Sequence, residues 1–211
     1  MKLDSIRRDY KKAALTKKEA APDPIHFFSQ WMNEALALEL PDATSMALTT
    51  VGEDGFPQSR IVLLKDFGNE GFTFFTNYHS EKGRAIAQNP KVSLHFFWAE
   101  LERQIRITGM AEKTGEEVSE QYFHSRPLDS QIAAAVSAQS TEVPSRAYLE
   151  EKFAEMKNRL DGADPKRPEH WGGYWVHPLK FEFWQGRANR LHDRLVYEKQ
   201  AENWIIKRLA P

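Results

Sequence analysis

The sequence predicts a mainly β protein with peripheral helices, an α+β chain whose strands pair antiparallel. From residue 45 onward, polar and apolar residues alternate with the period typical of strands, and tight turns separate the runs. Helical patterns are inserted between the hairpins, and no glycine-rich strand-to-helix loop occurs. Strands that follow one another through tight turns favour an antiparallel barrel over a parallel doubly wound sheet.

The individual elements follow from caps, turns and periodicity. Residues 1–22 are polar and charged and predict a flexible arm, and residues 23–211 predict one domain. Asp23 and Pro24 are typical of a helix start, and apolar residues at helical spacing continue to about Leu40. Strands are predicted at 45–51, 59–66, 72–77, 92–98, 103–111, 174–177, 180–185, 195–199 and 204–209. Further helices are predicted at 81–88 after a Ser80 cap, from 116 after a capping box at 114–117, at 128–136 and at 145–160.

Composition excludes several classes of function. The 211 residues carry 29 Lys and Arg against 30 Asp and Glu, so the formal charge of -1 provides no overall field for nucleic acid or an anionic membrane. The chain has no Cys, which excludes disulfides, thiolate nucleophiles and cysteine-ligated metal centres, and we expect no metal site. No apolar run approaches the length of a membrane helix, so we expect a cytoplasmic protein.

A dense group of charges lies near the end of the chain, in the pattern W-Q-G-x-x-x-R-L-H-D-R over residues 184–194. Loops that only connect strands are usually rich in Gly, Asn and Ser, whereas Arg190, His192 and Arg194 are donors suited to an anionic ligand. Taken singly, Trp184 is also typical of a core residue. A histidine beside an aspartate, such as His192 beside Asp193, is also typical of a structural hydrogen bond.

A second group of donors occurs over residues 122–131. Tyr122, Arg126 and Ser130 are spaced by four, so a helix would present a phenol, a guanidinium and a hydroxyl on one side, with Lys65 as a further cation. Such a set suits a monophosphate. The alternative is an ordinary helix end with a capping serine, where Pro127 interrupts the run.

Two cations, Arg60 and Lys65, bound an otherwise apolar strand. Cations that flank a buried strand for solubility are one explanation, and contact with an anion is the other. Residues five apart on a regular strand face opposite sides, so a shared ligand requires a bulge or a Lys65 that lies beyond the strand's end.

These motifs resemble those of the pyridoxine/pyridoxamine 5′-phosphate oxidase family, and the resemblance extends from Arg7 to Pro211. It includes R-x-V-L-L-K at residues 60–65, Y-F-x-S-R-P-x-x-S-Q at 122–131, the R-x-x-Y lid at 7–10 and the block at 184–194. The resemblance implies the FMN-binding split β-barrel, an FMN cofactor, and a homodimer with flavin at the subunit interface.

The resemblance also implies roles for individual residues. The flavin contacts would be Arg60, Ile61, Val62, Leu63, Leu64, Lys65, Phe75, Thr76, Lys82, Gln104, Gln139, Ser140, Trp184 and Arg194. The substrate contacts would be Arg7, Arg8, Asp9, Tyr10, Lys65, Tyr122, Arg126, Ser130, Arg190, Leu191 and His192. Catalysis is assigned to Arg190 and His192. Asp42 is a further acid/base candidate, although a turn or a helix end explains it equally well.

Some of these residues have simpler explanations. Gln104 in isolation is typical of a solvated strand face, and an exposed basic arm accounts for Arg7 and Tyr10. The family usually has arginine where this chain has Glu81, so we expect that carboxylate to face away from a phosphate. Arg84, one helical turn further on, is the candidate to replace the missing cation.

The predicted activity is FMN-dependent oxidation of pyridoxine or pyridoxamine 5′-phosphate to pyridoxal 5′-phosphate, with O2 as acceptor and H2O2 as product. Two other classes remain open. One is a non-catalytic protein that binds flavin or pyridoxal phosphate on the same barrel, since a fold does not determine a function. The other is a flavin reductase that uses a nicotinamide donor.

Overall fold

The fold was obtained as a computed structural model, which describes residues 8–201 and 203–211. This part of the chain forms five α-helices and nine strands. The helices are α1 (Pro24–Ala37), α2 (Glu81–Gln88), α3 (Glu116–Ser125), α4 (Leu128–Val136) and α5 (Arg146–Leu160). The strands are β1 (Ser45–Val51), β2 (Pro57–Leu63), β3 (Asp66–Gly68), β4 (Gly71–Asn77), β5 (Lys91–Trp98), β6 (Arg103–Lys113), β7 (Trp171–Gln185), β8 (Asp193–Gln200) and β9 (Asn203–Leu209).

The strands belong to one sheet with the order β2-β1-β5-β6-β7-β4-β3, and β8 joins β7 to β9. The pairs β3–β4, β4–β7, β7–β8 and β8–β9 are antiparallel, as the tight turns predicted. The long strand β7 pairs with β4 through Trp171 to Val176 and with β8 through Lys180 to Gln185. Pro178, which has no N–H to donate, lies between these two stretches.

Contacts within the chain define two compact units. The first unit comprises residues 8–48, 93–109 and 178–211 of the described part. Its helix α1 begins as predicted, with the Asp23 side chain accepting a hydrogen bond from the His26 N–H. One face of α1 is buried, and Phe27 packs on Phe183 with ring centroids 4.5 Å apart. The aromatic residues of α1 therefore supply much of this unit's core.

The second unit comprises residues 49–92 and 110–177. Strand β4 is almost completely buried, and Phe74 stacks on Tyr174 of β7 with centroids 5.5 Å apart. Gly172 in β7 is required by close packing, because a Cβ there would lie 2.2 Å from the Tyr78 hydroxyl and 2.7 Å from Ser119 Oγ. Helix α5 has no buried residue.

Several predicted boundaries need correction. The first helix ends at Ala37, before the left-handed Glu39 (φ 50), rather than near Leu40. The run at 59–66 belongs to two strands, β2 and β3, and the runs at 174–177 and 180–185 belong to one, β7. Periodicity is a local signal, so it cannot tell whether one strand changes partners or two strands follow one another.

The predicted capping box at the start of α3 is wrong. Gly115, not Thr114, is the N-cap, and no side chain caps the helix. The Thr114 hydroxyl instead forms a buried hydrogen bond with Ser119 Oγ at 2.8 Å. Because both hydroxyls are buried, satisfying each other outweighs capping the exposed helix end.

Residues 8–22 were expected to contain little that could pack, and the structure differs. Leu15 is 2% exposed and Ala20 is 8% exposed. Side chains of distant residues bind the backbone of this segment, among them Asp193, which accepts from the Leu15 N–H at 3.0 Å. Composition alone underestimated this packing because the partners are supplied by other parts of the chain. The structure contains no helix, within the described residues, of the length and apolarity needed to cross a membrane.

We expect Gly172→Ala to lower the free energy of unfolding by about 1–3 kcal/mol, because the added methyl must displace the Tyr78 hydroxyl and the buried Ser119. Urea unfolding of the two proteins measures the difference. Gly68→Ala is the control, since a Cβ at Gly68 has no atom of the described residues within 4 Å. Equal losses in the two variants would contradict the explanation from close packing.

Candidate active site

The largest group of predicted site residues lines a cavity of about 700 Å³ in the second unit, called here the cationic cavity. Its lining residues are Arg60, Ile61, Val62, Leu63, Lys65, Phe75, Thr76, Asn77, Lys82, Tyr122, Arg126, Pro127, Ser130, Ala133, Ala134, Ser137, Gln139 and Trp171. Four of them are cationic and none is acidic. This imbalance is suited to a ligand that carries phosphate.

Arg60 of β2 and Lys65 line the same cavity although they are five residues apart. Lys65 lies beyond the end of β2, where its N–H donates to the carbonyl of Thr73 at 2.9 Å. The parity difficulty is therefore resolved by the strand ending at Leu63. Arg60 Nη1 donates to Thr50 Oγ1 at 2.8 Å and to the Gln58 carbonyl at 2.9 Å. Burial lowers the Arg60 pKa, against the opposing charge of Glu81.

The start of α2 contributes a second cation. Ser80 caps this helix as predicted, accepting from the Gly83 N–H at 3.2 Å. Lys82 Nζ donates to Gln139 Oε1 at 3.0 Å and to Thr76 Oγ1 at 3.3 Å, both neutral groups. Burial and then the nearby charge of Arg60 lower the Lys82 pKa, while Glu81 opposes them. An anion beside both cations would relieve this repulsion.

Glu81, where the family usually has arginine, acts on the cavity through its charge, which opposes the lowering of the Arg60 and Lys82 pKa values. Glu81 is exposed and is not among the lining residues, in agreement with the expectation that it faces elsewhere. The proposal that Arg84 replaces the missing cation is wrong. The Arg84 side chain donates to the carbonyl of His79 and lines a different cavity, with Lys113 and His170.

Tyr122, Arg126 and Ser130 also reach the cationic cavity, but not from one helix. Helix α3 ends at Ser125, Arg126 has extended backbone angles (φ −80, ψ 152), and α4 begins after Pro127. Proline disfavours helical geometry in the residue before it, which explains the break. The Arg126 carbonyl accepts a hydrogen bond from Gln131 Nε2 at 2.8 Å, and this bond stabilises the turn between the helices.

The Arg126 guanidinium has the clearest unused binding capacity. It lies over the ring of Trp171, with the guanidinium carbon 4.7 Å from the ring centroid. Trp171 in turn belongs to a stack with Phe75 and Tyr122. Arg126 Nη1 is buried and has no hydrogen-bond partner among the described residues. Burial lowers the Arg126 pKa, which Tyr122 partly opposes. A buried donor without a partner is costly, so this site is prepared for an acceptor.

The first unit holds the other predicted residues. Arg8, Asp9, Tyr10, Arg187, Asn189, Arg190 and His192 line a cavity of about 650 Å³, called here the histidine cavity. Asn189 and Arg190 both have left-handed backbone angles, with φ of 56 and 60. The loop that presents the Arg190 side chain is therefore sharply turned.

His192 is fixed by three neighbours. Its Nδ1 accepts the Arg187 N–H at 3.1 Å, so the proton of the neutral ring is on Nε2. The ring lies 4.7 Å from Trp184 and 5.7 Å from Tyr10, measured between centroids. The Nε2–H of His192 can therefore donate a hydrogen bond, which suits a role in orienting a ligand.

Gln104 and Trp184 line a smaller cavity of about 70 Å³ in the first unit, together with His95, Arg106 and Glu182. Alternation along β6 was correctly predicted, since Ile105 and Ile107 are fully buried on the other face. A hydrogen bond of 3.0 Å joins Gln104 Oε1 to His95 Nε2.

Arg194 is held by Glu182, which accepts from its Nε at 2.8 Å and also pairs with Arg106. Burial opposes ionisation of Glu182, but the hydrogen bond from Arg194 and the charge of Arg106 outweigh it and lower the pKa. Arg194 Nη1 also donates to the carbonyl of Ala210 at 2.9 Å. These contacts give Arg194 a structural role whether or not it also contacts a flavin.

Five predicted residues of the described part lie outside the linings of these cavities, and Arg194 is one of them. Leu64 is 5% exposed and belongs to the core, whereas Ser140 and Leu191 are exposed. Asp42 is exposed and left-handed (φ 54), and its carbonyl accepts from Ser45, which agrees with the turn explanation. Arg7 lies outside the described residues.

Sequence reasoning missed Trp171, His95, Glu182 and Glu102. Each contacts a predicted residue that belongs to a different element of the fold, and local sequence patterns do not show such contacts. Trp171 directly before the two glycines of β7 was the strongest available signal, because paired glycines in a strand indicate close approach of another group.

Comparisons with known families agree with the motifs. Residues 32–159 match the family described as pyridoxamine 5′-phosphate oxidase. Residues 171–211 match the pyridoxine 5′-phosphate oxidase C-terminal dimerisation region. The pyridoxine/pyridoxamine 5′-phosphate oxidase of Burkholderia multivorans is 52% identical, and the match covers 99% of each chain. The enzyme of that name from Hahella chejuensis is 51% identical, with 100% of each chain covered.

Solved structures support the same fold. PhzG from Burkholderia lata 383, in complex with tetrahydrophenazine-1-carboxylic acid, has a TM-score of 0.88 and 28% identity, covering 94% of this chain and 98% of that one. A pyridoxamine 5′-phosphate oxidase-related, FMN-binding protein from Nostoc punctiforme has a TM-score of 0.70 at 14% identity, covering 87% and 97%, and shows the fold alone.

These matches confirm the split β-barrel class, the family resemblance and the assignment to oxidoreductases that the sequence predicted. Because its full length aligns with enzymes of one name and both family regions match in order, the chain belongs to the pyridoxamine 5′-phosphate oxidase family.

Proposed function

We propose that the protein oxidises pyridoxine 5′-phosphate or pyridoxamine 5′-phosphate at C4′ to pyridoxal 5′-phosphate. The alcohol and O2 give the aldehyde and H2O2, and the amine also consumes water and releases ammonia. The observation that carries this proposal is the cationic cavity, which has four cationic lining residues, no acidic one, and a buried Arg126 Nη1 without a partner among the described residues.

FMN is the cofactor that the family resemblance implied, and family membership confirms it. The donor set fits its phosphate, because Arg60 and Lys82 are two cations that line the same cavity, and burial lowers the pKa of each. Thr76 and Gln139, already bonded to Lys82, would complete this phosphate site. When bound, FMN supplies the two-electron chemistry, accepting a hydride from C4′ and passing the electron pair to O2.

We assign the substrate phosphate to Lys65, Tyr122, Arg126 and Ser130, which share the cationic cavity. The stack of Tyr122 on Phe75, with centroids 3.9 Å apart, holds the phenol in place. Anchoring the phosphate restricts the position of C4′. Good orientation of reacting groups can contribute about 7–11 kcal/mol to lowering a barrier, so binding residues remote from C4′ still act on the rate.

The pyridine ring is assigned to the residues of the histidine cavity. Arg190 supplies a cation, and His192 donates through Nε2 in the tautomer that the Arg187 N–H selects. A protonated Nδ1 would lose that hydrogen bond, so this geometry favours an orienting role for His192 over a role as general base at Nδ1. Tyr10, with Arg8 and Asp9, would cover the ring from the N-terminal segment.

A phosphorylated substrate is favoured over one like the ligand of PhzG. The compound in that structure is named as a carboxylic acid without phosphate. A carboxylate offers fewer acceptor oxygens and less charge than a phosphate dianion. The four donors beside the flavin-phosphate group would be left partly unsatisfied by such a compound, which supports the vitamin B6 phosphates.

We also propose a cytoplasmic homodimer with flavin at the subunit interface. The match of residues 171–211 to a dimerisation region supports self-association. Strand β2 ends the sheet order, and its Ile61 and Leu63, which line the cationic cavity, are 66% and 44% exposed. Exposed apolar residues on an edge strand favour cover by another chain.

Anaerobic mixing of the FMN-loaded protein with pyridoxine 5′-phosphate tests the function directly. We expect the visible flavin absorption to bleach, to return when air is admitted, and pyridoxal 5′-phosphate to accumulate. A parallel experiment mixes the same protein with NADPH in place of the substrate. Bleaching by NADPH alone would select a reductase, and an unchanged spectrum with both compounds would select a non-catalytic binder.

We expect Arg126→Ala to raise the KM for pyridoxine 5′-phosphate by about 10- to 100-fold, because a hydrogen bond to a charged group contributes about 1.5–3 kcal/mol. Steady-state kinetics measure the change. Arg146→Ala removes an exposed arginine of α5 that pairs only with Glu150 among the described residues, and it serves as the control. An unchanged KM in Arg126→Ala would remove Arg126 from the phosphate site.

We expect Arg190→Ala to slow flavin reduction by saturating substrate about 10- to 100-fold, because a cation that orients the ring is lost. Anaerobic stopped-flow absorption measures this step without the oxygen reaction. Arg159→Ala, at an exposed position of α5, is the control. Normal reduction in Arg190→Ala would show that Arg190 does not orient the reacting carbon.

A further inference from the structure

The N-terminal segment is tied to the first unit by one buried carboxylate. Glu102 is 4% exposed, and its Oε2 accepts the backbone N–H groups of Lys11 at 2.8 Å and Lys12 at 3.0 Å. Its Oε1 lies 3.6 Å from Arg8 Nη2. A carboxylate that accepts two amide hydrogen bonds away from water forms a strong attachment point.

The backbone of Glu102 is attached to the charged loop at the same time. Its carbonyl accepts the Gly186 N–H at 2.7 Å and Gln185 Nε2 at 3.2 Å. Glu102 also has left-handed backbone angles (φ 55), which are unfavourable for a glutamate. Such a conformation is retained where the surrounding contacts determine it. One residue thus connects the N-terminal segment to the beginning of the loop that carries His192.

Tyr10 directly precedes the two amides that Glu102 holds. Its ring packs edge-on to Trp184 at 5.6 Å and to His192 at 5.7 Å, between centroids. Gly186 is required for this approach, since a Cβ there would lie 2.6 Å from Tyr10 Cγ. Release of the Lys11 and Lys12 amides would therefore free the ring that covers His192.

We propose that Glu102 is a positioning residue that acts through Tyr10 and holds it against the substrate-binding side of His192. This inference rests on the proposed function only for the identity of the substrate. Other side chains attach the later part of the segment, since Arg187 Nη1 donates to the Ala13 carbonyl at 3.2 Å and Tyr197 donates to the Ala21 carbonyl at 2.7 Å. Loss of Glu102 therefore releases residues 8–12 locally.

A double-mutant cycle tests whether Glu102 acts through Tyr10. Glu102→Gly deletes the carboxylate and accepts the left-handed backbone without strain, and Glu102→Gln retains one oxygen acceptor. We expect the KM for pyridoxine 5′-phosphate to rise about tenfold in Glu102→Gly and less in Glu102→Gln, with kcat changed much less. In Tyr10→Ala, adding Glu102→Gly should raise the KM no further. The proposal would be overturned if the KM of the double variant rose by the product of the two single effects, or if Glu102→Gly left the KM unchanged.

Limited trypsin digestion tests the attachment without any turnover, so it remains informative if the proposed substrate is wrong. Cleavage after Lys11 or Lys12 requires the backbone that Glu102 holds to open. We expect Glu102→Gly to be cut there about tenfold faster than the wild type, with the remaining chain intact. Glu100→Gln, at an exposed acid two residues away, is the control and should be cut at the wild-type rate. Equal rates in all three proteins would overturn the proposal.

Discussion

The site depends on four cationic side chains that line one cavity, with no acidic residue among its lining residues. Arg60 and Lys82 are bonded to hydroxyl, amide and carbonyl oxygens, and Arg126 lies on an aromatic ring. The hydroxyl and amide oxygens bonded to Lys82 fix its position, while burial and then the nearby charge of Arg60 lower its pKa.

The remainder of the second unit can be understood as support for that arrangement. The Phe75, Tyr122 and Trp171 stack provides a rigid surface under the phosphate donors, and Gly172 lets β7 pass close to Tyr78. In the first unit, Asp193 has a comparable supporting role, since it accepts a hydrogen bond from the Leu15 N–H and pairs with Arg208. Asp193, the carboxylate of the charged loop, thus holds the chain, whereas Arg190 and His192 line the histidine cavity.

Local signals predicted the elements well and the contacts between them poorly. The caps Asp23, Ser80 and Ser145 were predictable because a cap bonds only to its own helix. Thr114 had an equally good pattern, yet its hydroxyl pairs with Ser119 and does not cap the helix. The burial of the two hydroxyls decides between these partners, and burial cannot be predicted from the neighbouring residues in the sequence. The donors of the cationic cavity could be identified by motif, whereas Trp171 and Glu102 depend on packing between distant segments. The left-handed Glu102 carries no signal at all, since glutamate is not a residue that favours that conformation.

The turn that presents Arg190 has an evolutionary consequence. Asn189 and Arg190 are consecutive residues with left-handed backbone angles, a conformation that favours asparagine or glycine. An arginine in this conformation lowers the stability of the fold by about 1 kcal/mol. Selection for a more robust fold alone would replace Arg190 with glycine, and selection for turnover would oppose it. Stabilising libraries built on this chain should therefore exclude residue 190, because the change that most relaxes the loop is also the one that removes its guanidinium.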